Sequence, residues 1–350
     1  MTALSSGDIR NAYLQTYLAP LAPLLQRREV TDIFVNRAGE AWAELLGGQF
    51  EQHLIPALDE THLTRLARQI AAYAHQGVNR NRPLVSATLP DGARVQVIGP
   101  PATRAGLALA VRKHVLADMR LEDLDALGGL SPATPAARPR RDAALSSLLA
   151  QGEIVTLLKE IVRQRLNVVV CGGTSSGKTT FTNALIKEIP VTERLIVIED
   201  APELRFAQPN ALGLVAVRGD QGEARVTVED LLQASLRMRP DRIIIGELRG
   251  LETLSFVRAT SSGHPGSITT VHADDSTSAL RHMTLMMMQA NPNLTPADAE
   301  GFLRRAVDVW IQLERRDGLR VVAEIVLEPG ESRPPTKRAS RTKSGAATSN

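Results

Sequence analysis

Lys178 and Thr179 close the run Gly172-Gly173-Thr174-Ser175-Ser176-Gly177-Lys178-Thr179, which fits G-x-x-x-x-G-K-[ST] without deviation. Glycines let such a loop curl so that several backbone N–H groups point inward at a phosphate chain. A helix starting there adds partial positive charge. Lys178 is placed to reach the β- and γ-phosphates, and the Thr179 hydroxyl to hold Mg²⁺. The expected ligand is a nucleoside triphosphate.

Acids stand where the second half of that chemistry needs them. Ligand sites of parallel sheets lie at the carboxyl ends of the strands. Glu199, Asp200 and Glu203 follow the apolar run Leu195–Ile198, Glu247 and Arg249 follow Ile243–Ile245, and His272 follows Gly266–Val271. One acid in a phosphate-loop site orders the metal shell and another positions the attacking water. Ile243-Ile244-Ile245-Gly246-Glu247 resembles a Walker B element with Glu in place of Asp, which puts Glu247 on the metal with Thr179. Glu203 is the candidate water-orienting base, with Glu199 its rival. His272 is placed to sense the γ-phosphate by hydrogen bond, and Arg249 joins the catalytic candidates.

These residues need strands and helices to hold them. Val168–Val170 are β-branched in an apolar setting and read as a buried strand. Phe181, Ala184, Leu185 and Ile189 then share one face of a helix. Further helices are expected over 154–165 and 228–238, the latter started by Thr227 with Asp230 three residues on. The alternation predicts a mostly parallel sheet with helices on its faces. A hairpin over 307–313 and 319–327 turns at Asp317-Gly318. Met283, Met286, Met287 and Met288 read as flexible core filler.

Upstream the pattern differs. A helix then a turn is expected over 9–27, a hairpin over 32–44, a helix over 62–75, and strands at 84–89, 94–98 and 106–112, two of them joined across Pro90-Asp91-Gly92. Residues 1–127 therefore read as an α+β N-terminal domain. Residues 128–143, with three prolines and no apolar period, read as a linker, 144–328 as the phosphate-loop domain, and 329–350 as a disordered basic tail.

The net charge of +3 is concentrated in that tail, where residues 331–350 carry five basic residues and one acid. The rest of the chain is slightly negative, and an aromatic fraction of 3% leaves few platforms for base stacking. Direct sequence-specific nucleic-acid binding is not expected. The single cysteine, Cys171, excludes an internal disulfide and a four-cysteine zinc module. No apolar run is long enough to span a membrane, and Met1–Asp8 lacks signal-peptide order, so a cytoplasmic location is the default.

Four stretches occur in one order: Gly172–Thr180, Ile198-Glu199-Asp200-Ala201-Pro202-Glu203-Leu204, Ile245-Gly246-Glu247-Leu248-Arg249-Gly250, and Gly263–Ala273. They resemble the Walker A, Asp box, Walker B and His box of the secretion-superfamily traffic ATPases. The subtype resembled is the ATPase of type IV secretion and conjugative transfer, closest to the TrbB-type conjugation ATPases. Pilus-extension and general-secretion relatives often carry the zinc module this chain cannot build.

The resemblance implies a RecA-like α/β domain behind a smaller α+β domain, ATP and Mg²⁺ as cofactors, and nucleotide held by Gly173 through Thr180. It also implies phosphate contacts from N-terminal arginines, at the matching positions Arg94 and Arg112. A homohexameric ring is implied, peripheral to the cytoplasmic face of the inner membrane and partnered by channel components, with a hinge at the linker. The function implied is an ATP-driven motor for conjugation or type IV secretion. The alternatives are a pilus or type II secretion motor and, from another class, a nucleotide-gated scaffold or nucleic-acid translocase.

Overall fold

The computed structural model describes residues 6–113, 121, 142–217 and 223–328. Most of the expected linker and all of the basic tail lie outside these residues. Two sheets organise the chain, in the expected sequence of an antiparallel α+β part and then a mostly parallel one.

The first part opens with α1 (Ser6–Leu18), a 3₁₀ turn (Ala19–Leu21) and α2 (Ala22–Gln26). Pro20 and Pro23 sit in the first turns of the latter two, where a missing N–H costs nothing. They restart the helix instead of ending it in a plain turn. Strands β1 (Val30–Val35), β2 (Glu40–Leu45), β3 (Phe50–Leu54), β4 (Leu84–Thr88), β5 (Arg94–Ile98) and β6 (Ala108–Arg112) pair antiparallel in the order β3-β2-β1-β6-β5-β4. Helix α3 (Glu60–Tyr73) is capped by Asp59, whose side chain accepts from the His62 amide at 2.6 Å. Its stripe of Leu63, Leu66, Ala67, Ile70 and Ala71 shares a core with Ile33, Val35, Ala41, Val95 and Val97. Phe34, Trp42, Ala108 and Ala110 point the other way and join the core of the second sheet. Period-two alternation thus gives β1 two apolar faces, one for each core.

The second part contains β7 (Val168–Gly172), β8 (Leu195–Glu199), β9 (Ala211–Val215), β10 (Arg242–Ile245), β11 (Ile268–Val271), β12 (Val309–Arg316) and β13 (Leu319–Leu327). Their order is β13-β12-β7-β11-β10-β8-β9, parallel from β12 to β9, with β13 antiparallel at the edge. Helices α4 (Asp142–Ala150), α5 (Ile154–Arg163) and α6 (Lys178–Lys187) cover one face, over Val168, Val170, Val197 and Ile244. Helices α7 (Val228–Ser235), α8 (Glu252–Ser261), α9 (Ser276–Ala290) and α10 (Pro296–Ala306) cover the other, over Val169, Ile196, Ile243 and Val271. Such double burial explains why these strands read as unbroken apolar runs. The α7 capping box forms as expected between Thr227 and Asp230. Met283 and Met287 are core residues, with Met286 and Met288 packed against them. Of the expected α6 face, Leu185 and Ile189 are buried and Phe181 packs on the same core, but Ala184 is exposed and Thr182 and Ile186 are buried instead.

Charged groups stitch the two parts together. Arg194, fully buried, lies 4.0 Å from the Phe34 ring centre and donates to Asn36 Oδ1 at 2.9 Å and Asn210 Oδ1 at 2.5 Å. Arg239 pairs with Glu44 at 2.5 Å and with Asp241 at 2.6 Å. Burial pushes the Glu44 carboxyl up to about 7, against the pull of Arg239. A carboxyl raised in the fold contributes stability below its ordinary value, and that contribution is lost as pH rises through about 7. The melting temperature is therefore expected to fall between pH 5 and 8, by the equivalent of about 3 kcal/mol at most. A thermal-melt series should show that limb flattened in Glu44→Gln; an unchanged limb would place its origin elsewhere.

Candidate active site

β7 delivers the chain, fully buried, to the phosphate loop. Gly172 has no room for a side chain, since a Cβ there would lie 2.5 Å from the Leu313 carbonyl of β12. Ser175 at φ 61° and Gly177 at φ 95° then turn the loop through left-handed conformations into α6. The first-turn N–H groups of α6 have no intrahelical acceptors and face the loop. Lys178 bends back so that Nζ donates to the carbonyls of Gly172 (2.6 Å) and Gly173 (3.0 Å). Burial lowers its pKa while the Glu247 charge opposes that shift. The Ser176 hydroxyl is buried without a protein partner. A glycine-rich turn of this shape running into a helix N-terminus fits a phosphate chain.

The acids converge on the same place. A cleft of about 280 Å³ is lined by Thr174, Ser175, Lys178, Thr179, Glu199, Glu203, Glu247, Arg249 and His272, among others. Glu203 Oε2 accepts from Thr179 Oγ1 at 3.1 Å. Glu247 follows β10 in a loop fixed by Gly246 N to Ile198 O (2.9 Å) and Thr270 Oγ1 to Gly246 O (2.7 Å). Arg249 pairs with Glu247 and lies 3.9 Å from Asp200. His272 is exposed at the cleft wall, and its carbonyl accepts from His282 Nδ1 at 3.1 Å. Among the described residues no three His, Cys, Asp or Glu side chains gather to hold a metal alone. One or two protein oxygens beside substrate phosphates is the way Mg²⁺ is usually held.

This geometry has known counterparts. The type II/IV secretion system protein family matches residues 141–318. VirB11 of Bartonella henselae is 35% identical over 343 residues, covering 93% of this chain and 96% of that protein. PtlH of Bordetella pertussis is 37% identical over 320 residues, covering 88% and 92%. The crystal structure of the VirB11 ATPase from the Brucella suis type IV secretion system, in complex with sulphate, is 33% identical and superposes with a TM-score of 0.87 over 93% of this chain and 97% of that one. The chain belongs to the type II/IV secretion ATPase family. It is an ATPase with the RecA-like fold of that family, and nucleotide is its ligand.

Not every expected residue comes to the cleft. Thr180 is exposed on α6, and the cleft walls are formed without it. Arg94 and Arg112 are register partners on β5 and β6, and Arg112 Nε donates to Asp32 at 2.8 Å. With Tyr73, Gln76 and Arg237 they line a separate cavity of about 550 Å³. The N-terminal arginine that does approach the cleft is Arg104. It pairs with Glu199, donates to the Leu204 carbonyl at 2.9 Å and lies 5.3 Å from the Phe206 ring centre. Sequence offered no signal for it beyond its place in a proline- and glycine-flanked loop. The Glu199 carboxylate is 3% exposed and accepts the N–H groups of Glu203 (2.9 Å) and Leu204 (2.7 Å).

Proposed function

We propose that this chain is a magnesium-dependent ATP hydrolase that drives assembly or substrate transfer in a type IV secretion or conjugation apparatus, working as a homohexamer at the cytoplasmic face of the inner membrane. The observation that carries the catalytic part is the meeting of Lys178, Thr179, Glu203 and Glu247 in one cleft from the phosphate loop and two neighbouring strand ends. The secretion part is supported by relatives that match nearly end to end. The described residues include no helix long and apolar enough to cross a membrane, so attachment would be peripheral and through channel components.

In this reading Gly173–Thr179 cradle the phosphates through backbone N–H groups, with the hydroxyls of Thr174 and Thr179 at the cleft. Lys178 leaves its loop carbonyls for the β- and γ-phosphate oxygens. Thr179 and Glu247 would hold Mg²⁺, which when bound would supply positive charge against the phosphate oxygens. Glu203 orients the water, His272 donates to the γ-phosphate, and Arg249 keeps Glu247 aimed until the ion arrives. Turnover measured across a magnesium titration tests this assignment. Glu247→Gln is expected to need about tenfold more Mg²⁺ for half-maximal rate, as a lost metal ligand should, and a titration matching the parent chain would remove Glu247 from the metal.

Arg94 and Arg112, turned away from their own cleft, would serve the nucleotide of a neighbouring subunit. Sizing is expected to show a sixfold assembly strengthened by ATP. Mixing Lys178→Ala chains with Arg112→Ala chains is then expected to restore part of the turnover that each lacks alone. Mixtures as inactive as their components would end the proposal that these arginines act in trans.

A further inference from the structure

The loop between β5 and β6 is sewn to the edge of the second sheet. Arg104 N donates to Gly213 O at 3.0 Å, Val215 N donates to Ala102 O at 3.0 Å, and Thr103 bridges to Leu214. The Arg104 side chain then passes over Gly213, where a Cβ would lie 2.4 Å from Arg104 Cδ. Glycine at that position is what lets the arginine cross β9. Beyond it the guanidinium meets the buried Glu199 carboxylate on one side and the Leu204 carbonyl on the other.

We propose that Arg104 is a positioning residue for hydrolysis, acting from the N-terminal sheet through Glu199 to hold the loop that aims Glu203 into the cleft. Glu199 grips that loop by two amides, at Glu203 and Leu204, and Arg104 grips it again at the Leu204 carbonyl. Glu203 in turn stands 3.1 Å from Thr179. The link is electrostatic at its root. Glu199 is almost wholly out of water and faces Arg104, and removing one partner of such a buried pair leaves the other uncompensated. Without Arg104 the Glu199 side chain loses the partner that fixes it, which loosens its hold on the Glu203 amide. Through Arg104 the N-terminal part thereby contributes to the rate of the chemical step and not to nucleotide grip. This proposal rests on the reading of Glu203 as the water-orienting base.

The test uses the full-length chain with Arg104→Ala, Glu199→Gln, the double variant and Glu203→Gln, each measured for kcat, KM for ATP and nucleotide affinity across pH. Arg104→Ala is expected to lower kcat about tenfold, as an interaction made in the transition state does, with ATP affinity within about twofold. Glu199→Gln keeps a carbonyl oxygen for the two amides and leaves no buried carboxylate charge, so Arg104→Ala should cost clearly less on top of Glu199→Gln than it costs in the parent chain. Such coupling is the signature of two groups acting as one unit. Arg104→Lys, which keeps the charge but not the bond to Leu204, should fall between Arg104→Ala and the parent, and it supplies the comparison if Arg104→Ala does not fold. An Arg104→Ala kcat within twofold of the parent, or losses that simply add in the double variant, would overturn the proposal. Full turnover in Glu203→Gln would instead bring down the underlying reading of the base.

Discussion

Lys178→Ala is expected to abolish measurable ATP turnover while leaving the fold intact. Lys178 Nζ donates to the carbonyls of Gly172 and Gly173. A phosphate chain laid in the cradle offers that ammonium a charged acceptor in place of two neutral ones. The negative charge that spreads over the γ-phosphoryl oxygens during transfer is what the ammonium then neutralises. Loss of one preorganised donor of this kind costs about 10²–10³ in rate, and the ammonium carries a full charge as well. The surroundings add to the effect, because burial already lowers the lysine's pKa and so marks a site where water screens little. Stability should change little, since truncation removes a half-buried charge that makes no ion pair with its nearest acid. Phosphate release by the variant, with circular dichroism as the control for folding, checks the expectation. A rate near that of the parent chain would remove the loop from the chemistry.

The strands that hold this site were legible because they are buried on both faces. Val168–Val170, Leu195–Ile198 and Ile243–Ile245 read as continuous apolar runs for that reason, and each ends in a residue of the cleft or its loop. Two of the edge strands, β3 and β9, leave no such trace. In β3 the apolar residues stand only at the ends of Phe-Glu-Gln-His-Leu, and β9 has a glycine at its centre where Arg104 crosses. Helix α8 escaped for another reason. Its buried face includes Thr253, Ser255 and Thr260, polar residues whose hydroxyls find acceptors in Glu229 and the carbonyls of Phe256 and Val257, and one the sulfur of Met286. A period search weighted to apolar residues passes over such a face. The site itself followed the same division. Groups delivered by a strand end or a fixed loop motif were readable in one dimension. Arg104 was not, since nothing local says that a loop near residue 104 will pack on a strand near residue 213.

Glu203→Gln is expected to separate ATP binding from hydrolysis, and the geometry says why it should be this acid and not its neighbour four residues earlier. Both carboxylates border the cleft, but their oxygens are committed differently. Glu199 spends one oxygen on two backbone amides, faces Arg104 with the other, and at 3% exposed is shielded from the water of the cleft. Glu203 is exposed to the cleft and has a single bond, to the Thr179 hydroxyl. Were that hydroxyl to serve Mg²⁺, as proposed above, a Glu203 carboxylate oxygen would be free to hold a water in the cleft. General-base assistance is worth about 10²–10⁴ in rate, and an amide in the same position can still orient but no longer accept the proton. The expected result is a fall in kcat within that range, ATP affinity within about twofold of the parent, and a loop left in place because the Glu203 backbone amide still binds Glu199. Parallel measurement of Glu199→Gln sharpens the contrast, as it should retain most of its turnover. Equal loss of binding and turnover in Glu203→Gln would mean that the side chain shapes the cleft without serving the water, and the base would then have to be sought among the groups after β10.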